Sequence, residues 1–208
     1  MKTIIFDFDG VIHDTYELVY KINYEISGGT LTEEAYRDFF NGNIFERVVE
    51  DEEKEKADFE KFFNLQNEAF KYLKIDENIR KNLEKLSKDY SLFIISSNQE
   101  EALNTYFQNN DFLNVFKEIL GAESHQSKVE KFKYVFEKCN LTADDCVFVT
   151  DTLGDILEGN KVGVRTIAVD FGFHKRDRLE KGNPFRIVSS FDEVVKEINE
   201  MQTSFLGS

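Results

Sequence analysis

Short, almost continuous apolar runs recur along the chain, and amphipathic stretches separate them. Thr3–Phe6 (TIIF), Ser91–Ile95 (SLFII), Cys146–Thr150 (CVFVT) and Arg165–Val169 (RTIAV) are rich in β-branched and aromatic residues, and Arg186–Val188 is a weaker copy. Runs of this length and continuity predict parallel strands covered on both faces. Between them the apolar positions fall at helical spacing. The segment 99–108 aligns Ala102, Leu103, Tyr106 and Phe107, 129–139 aligns Phe132, Val135 and Phe136, and 191–201 aligns Val194, Val195 and Ile198. A shorter helix is predicted over 154–161. Strands alternating with helices predict an α/β fold with a mainly parallel sheet.

The stretch 14–81 breaks this alternation. It holds no strand-like run, and Phe59, Phe62, Phe63, Gln66 and Phe70 recur at helical spacing. Gly28-Gly29 and Asn41-Gly42-Asn43 punctuate it. An all-helical insertion between the first and second strands is predicted, with the aromatic stripes as its own core. The Asn41-Gly42-Asn43 turn is the candidate specificity loop.

Composition narrows the class. The chain has 208 residues, 41% of them hydrophobic, with 21 Phe and no Trp. That length suits one domain carrying a smaller insert. No apolar run approaches the roughly 18 residues of a membrane span, and Asp7 and Asp9 interrupt the early apolar stretch, unlike a signal peptide. A cytoplasmic location is expected. Cys139 and Cys146 form neither a disulfide framework nor a metal-ligand spacing, and His13, His125 and His174 are scattered. The formal net charge is −14, with acidic residues in excess across 14–81 as well. Such a surface repels nucleic acid and anionic membranes, so neither is an expected partner. An anionic substrate then depends on positive charge inside the site.

Four features fall where an open α/β sheet gathers its functional groups, at strand ends and helix starts. Asp7 and Asp9 follow the first strand in FDFDG and point the same way, with Phe8 on the other side and Gly10 permitting a tight turn. Two neighbouring carboxylates repel, and bound Mg²⁺ removes that objection. Ser96-Ser97-Asn98 follows the second strand, with hydroxyl, amide and backbone N–H groups able to hold phosphate oxygens. Lys128 opens a helix, where it can neutralise phosphate or a carboxylate; Lys131 lies a turn inside. In VTDTLGD, Asp151 follows a strand and Asp155 sits one helical turn on, giving hard oxygen ligands suited to Mg²⁺.

In order and spacing these residues resemble the haloacid dehalogenase superfamily of phosphotransferases. The likeness lies in Asp7-Phe8-Asp9-Gly10, in Ser96, in Lys128 of HQSKVEKFKYVFEK, and in Asp151 and Asp155. The nearest subgroup is the phosphoglycolate phosphatase-like and β-phosphoglucomutase-like one with a helical cap. The resemblance implies a Rossmann-like core over 1–13 and 82–208, with a helical cap over 14–81. It implies a Mg²⁺-dependent phosphatase acting on a small phosphate ester. Asp7 is then the nucleophile and Asp9 the acid/base; Ser96 holds the phosphoryl group and Lys128 offsets its charge. Gly10, Ser97 and Asn98 are assigned to substrate binding. The metal set is Asp7, Asp9 through its main-chain carbonyl, Asp151 and, through a water, Asp155. Thr150 departs from the Gly that many relatives carry. Dehalogenases and phosphonate-cleaving relatives lack the second acid, so Asp9 argues against both. Phosphomutases of the β-phosphoglucomutase type carry a His where this chain has Val19. A binding module with a degenerate site is the remaining alternative, and the intact motifs argue against it.

Overall fold

A computed structural model describes residues 2–206. Six strands form one sheet: β1 (Thr3–Phe6), β2 (Ser91–Ile95), β3 (Glu118–Leu120), β4 (Cys146–Thr150), β5 (Arg165–Val169) and β6 (Arg186–Val188). Every pairing is parallel, and the order is β3-β2-β1-β4-β5-β6. Parallel neighbours need crossovers, and the helices supply them. They are α1 (Tyr16–Ile26), α2 (Glu33–Asp38), α3 (Glu52–Phe70), α4 (Glu77–Leu86), α5 (Glu100–Asn109), α6 (Lys128–Cys139), α7 (Leu153–Val162), α8 (Arg176–Leu179) and α9 (Phe191–Leu206). None among the described residues is long and apolar enough to cross a membrane.

Pleating divides β1 and β4 between two cores. Ile4, Phe6, Val147 and Val149 pack on the face covered by α4, α5 and α9; Ile5, Cys146 and Phe148 pack on the face covered by α6. Phe8 extends the first core and is fully buried against Phe70, Tyr106 and Phe107. The side chain between the two acids is therefore an anchor. Fully burying one such ring contributes roughly 1.5–3 kcal/mol.

The five expected strands are present. A sixth, β3, was not expected from the sequence. It has three residues, begins with a half-buried Glu118, and is specified by its pairing to Phe93–Ile95 of β2.

Between β1 and β2 the chain is helical throughout. Helices α1, α2 and α3 and two single-turn segments, Phe39–Asn41 and Ile44–Glu46, surround a small cluster of Tyr16, Val19 and Tyr36. Phe173, from the loop after β5, completes that cluster. The expected cap segment 14–81 ends inside α4, whose Leu83 and Leu86 pack in the main core. Helix α3 has already delivered Phe70 there.

The order of strands fixes where a ligand sits. β2 lies on one side of β1 and β4 on the other. Their crossovers diverge at this point, so a crevice opens at the carboxyl ends of β1, β2 and β4.

Candidate active site

Asp7 is the first residue past β1. Its N–H still bonds to the Val149 carbonyl at 2.9 Å, so the sheet fixes its backbone. Its Oδ1 accepts from the Phe8 N–H at 2.7 Å, and its Oδ2 lies 2.9 Å from Lys128 Nζ. Beyond Phe8 the chain turns at Gly10, whose φ of +67° glycine adopts without strain. Asp9 then faces the same cavity as Asp7. Its Oδ1 accepts from Thr15 Oγ1 at 2.5 Å and its Oδ2 from Asn98 Nδ2 at 2.7 Å. Burial pushes the Asp9 carboxyl above its ordinary range, against the lowering effect of those two bonds.

Lys128 sits at the start of α6 and is buried. Its Nζ bonds to both Asp7 Oδ2 and Asp155 Oδ2, the latter at 2.6 Å. Burial pulls the ammonium down, but Asp155 and Asp7 together outweigh it and hold Lys128 charged. Burial likewise raises Asp7, opposed by Lys128 and reinforced by the Asp155 and Asp151 charges. Asp155 goes the other way. Burial would raise it, yet the Lys128 charge and the bonds from Lys128 and Thr150 hold it below the usual carboxylate range. Thr150 Oγ1 donates to Asp155 Oδ2 at 2.6 Å, which gives this threonine a use that glycine could not serve. Here Asp155 anchors Lys128.

Asp151 is enclosed on three sides. The Phe173 N–H donates to its Oδ2 at 2.7 Å, and a Cβ on Gly10 or Gly172 would lie 1.9 or 2.3 Å from that same oxygen. Gly10 is thus a close-packing glycine, and it is absent from the residues lining the cavity. Asp151 Oδ1 is buried with no hydrogen-bond partner. Burial, eased by the Phe173 bond and worsened by Asp155, pushes Asp151 up to about 8. An orphaned carboxylate oxygen beside other carboxylates is costly unless a cation meets it. Among the described residues no three His, Cys, Asp or Glu side chains converge as a ready metal cage. The orphaned oxygen and the oxygen-only donors around it nevertheless fit a hard divalent cation.

The turn after β2 departs from expectation. Ser96 is fully buried and does not line the cavity; Ser97 and Asn98 do. The reason is that the ladder runs one residue further: the Ser96 N–H bonds to the Leu120 carbonyl at 3.0 Å. The Ser96 hydroxyl accepts from the Asn98 N–H at 3.1 Å, closing the turn. Lys131, the competitor of Lys128, reaches the Ser96 carbonyl and props the turn from behind. His13 points away from the cavity to Tyr106.

Glu158 was not foreseen. It continues the acidic face of α7 and lines the cavity. Its Oε1 accepts from Ser127 Oγ and from the Lys128 N–H at 2.9 Å, which fixes the start of α6. Its spacing from Asp151 and Asp155 was the available signal. His174 is buried; its Nδ1 accepts from the Leu153 N–H at 3.0 Å and its Nε2 lies 2.8 Å from the Arg37 carbonyl, tying α2 to α7. Gly42 and Asn43 line the cavity, and the Gly42 carbonyl occupies the space a Cβ on Gly154 would need. The cap side of the cavity is walled by Val19, Tyr36, Phe39, Phe40, Phe59 and Phe62.

Known proteins share this fold. A provisionally named pyrophosphatase, PpaX of Caldanaerobacter subterraneus subsp. tengcongensis, is 23% identical over 95% of this chain and 94% of its own. Among solved structures, a predicted phosphatase from Clostridium acetobutylicum superposes with a TM-score of 0.80 at 21% identity, covering 96% of this chain and 98% of that one. A predicted phosphoglycolate phosphatase from Haemophilus somnus gives 0.76 at 20% identity, covering 95% and 98%. At such identities the likeness speaks for the shared fold. The sequence profile of the haloacid dehalogenase-like hydrolases matches residues 4–169, a span that holds every acid and lysine described above, and the chain belongs to that family.

Proposed function

We propose that this hydrolase is a magnesium-dependent phosphatase acting on a small organic phosphate ester through an aspartyl-phosphate on Asp7. The observation that carries the reading is the pairing of Asp7 with Lys128 at one wall of a cavity that Asp9 also faces. The Asp7 and Asp151 carboxylates with the Asp9 main-chain carbonyl would hold the ion. When bound, Mg²⁺ supplies neutralising charge where a negative nucleophile meets a phosphoryl group.

The chain's own groups divide the work. Lys128 holds Asp7 in place and offsets negative charge near it. An Asp7 oxygen forms a bond to phosphorus as the bond to the leaving oxygen breaks. The electron pair stays on the leaving oxygen, which takes the proton of Asp9. Asp9, now a carboxylate, takes a proton from water as that water's oxygen bonds to phosphorus and the Asp7–phosphorus bond breaks. Inorganic phosphate leaves, and both acids are restored.

The cap side supports an organic leaving group over a second phosphate. Its wall is largely aromatic, and its two lining cations are already paired: Arg47 with Glu55 at 2.6 Å and Lys54 with Asp58 at 2.5 Å. A phosphomutase would need a cap group able to shuttle a proton. Val19, at the expected position, is buried and apolar.

The test is phosphate release from a panel of phosphorylated metabolites and pyrophosphate, with Mg²⁺ or EDTA, using wild type and Asp7→Asn. Turnover of organic esters with Mg²⁺, lost in EDTA and in folded Asp7→Asn, is expected. A folded Asp7→Asn protein with near-native turnover would refute the mechanism.

A further inference from the structure

The last turns of α3 leave the cap and enter the core. Phe70 is fully buried against Phe8, and Gln66, one turn earlier, is only 1% exposed. A buried amide needs partners. Gln66 Nε2 donates to Asn98 Oδ1 at 2.9 Å, and Asn98 Nδ2 donates to Asp9 Oδ2 at 2.7 Å. Gln66 Oε1 is buried without a partner, and the residue lines the cavity.

The order of these bonds follows from donor chemistry. Asp9 Oδ2 accepts from the Asn98 NH₂, which turns the Asn98 carbonyl away from it. That carbonyl then needs a donor, and Gln66 Nε2 is placed to be one. Without it, the Asn98 amide is held only by Asp9 itself, and the two side chains can shift together about Thr15 Oγ1.

We propose that Gln66 is a positioning residue for Asp9, acting through Asn98, so that a cap helix sets the aim of the group that protonates the leaving oxygen. This rests on the role given above to Asp9. In the step concerned, the phosphorus–oxygen bond of the ester breaks, its electron pair remains on the leaving oxygen, and the Asp9 proton moves to that oxygen. A misplacement near 1 Å can cost about 100-fold in such a transfer. Leaving groups that need no proton should not feel it.

A neighbouring pair supplies the control. Asn67 Nδ2 donates to Gln99 Oε1 at 2.9 Å and joins the same two elements without touching Asp9. The experiment compares kcat/KM, which covers steps up to Asp7 phosphorylation, for glycerol phosphate and nitrophenyl phosphate. Gln66→Leu is expected to lower it about 10- to 100-fold for glycerol phosphate and less than about threefold for nitrophenyl phosphate. Asn67→Leu should change both by one common factor. In an Asp9→Asn background, Gln66→Leu should add little.

Should Gln66→Leu not fold, Gln66→Met keeps the length and removes the donor, and carries the same expectation. An equal loss on both substrates, or a full additional loss in the Asp9→Asn background, overturns the proposal. Asp9→Asn that fails to distinguish the two esters overturns instead the role of Asp9, and the relay with it.

Discussion

Replacing Lys128 by Met should unbalance the site more than any other single change. Lys128 Nζ lies 2.9 Å from one buried carboxylate and 2.6 Å from another. Methionine fills much of the same space without charge and leaves Asp7 and Asp155 facing each other. Breaking a buried ion pair by removing one partner costs about 3–5 kcal/mol. Asp7, already pushed up by burial, can relieve part of this by keeping its proton, which favours the lower end. For a chain of this size that is a fall in Tm of roughly 6–20 °C.

The pH dependence has a definite sign. With Lys128 present, Asp155 is held below its ordinary value, so its stabilising effect is present above that value and lost as pH falls through the depressed one. Without Lys128, burial and like charges raise the carboxyls, with the Thr150 bond to Asp155 too weak to offset them. Their cost then grows as pH rises. The deficit of Lys128→Met should therefore widen from pH 5 to pH 8. Urea unfolding in EDTA measures it, followed by far-UV circular dichroism because the chain has no Trp. Lys128→Met/Asp155→Asn should recover part of the loss, since the amide keeps an oxygen for Thr150 without the charge. A Lys128→Met deficit of no more than about 0.5 kcal/mol, the size of a surface substitution, at every pH would refute the reasoning.

Two smaller perturbations follow from packing and burial. Gly172→Ala places a Cβ 2.3 Å from Asp151 Oδ2, so the carboxylate must move; a stability loss of about 1–3 kcal/mol and a weaker Mg²⁺ activation are expected, and unchanged thermal unfolding with an unchanged metal titration would contradict them. Cys146 is buried and its thiol is pushed up to about 12 by burial, then by the Asp145 charge, whereas Cys139 is exposed. A colorimetric disulfide reagent should therefore label one thiol in native protein and two in urea, and rapid native labelling of both would contradict the burial of Cys146.

Much of the core was legible because its signals are local. β1, β2, β4 and β5 are nearly continuous apolar runs and β6 a weaker one, all bounded as the sequence implied. β3 was hidden because its three residues become a strand only beside β2. The expected end of the insertion falls inside α4. Composition and period do not change at Lys81, and only the packing of Leu83 and Leu86 shows that α4 belongs with the sheet. Helical periodicity reports that a face is apolar, and is silent on which neighbour will cover it.

The site divides along the same line. Asp7 and Asp9 share a strand end, and Asp151 and Asp155 share a helix turn, so sequence spacing already implies their proximity. Residues that meet only through the fold leave no such trace. Gln66 sits in an aromatic stripe that reads as the cap's own core, yet it bonds to Asn98, 32 positions away. His174 lies in an ordinary loop and joins Arg37, 137 positions back. Both link the cap helices to the catalytic end of the sheet, where one end of the contact is a strand terminus with fixed geometry. The chemistry can thus be written in short motifs because the sheet supplies the rest. The cap side of the cavity is built from single side chains on α1, α2, α3 and the Phe173 loop, which come together only once those elements are packed.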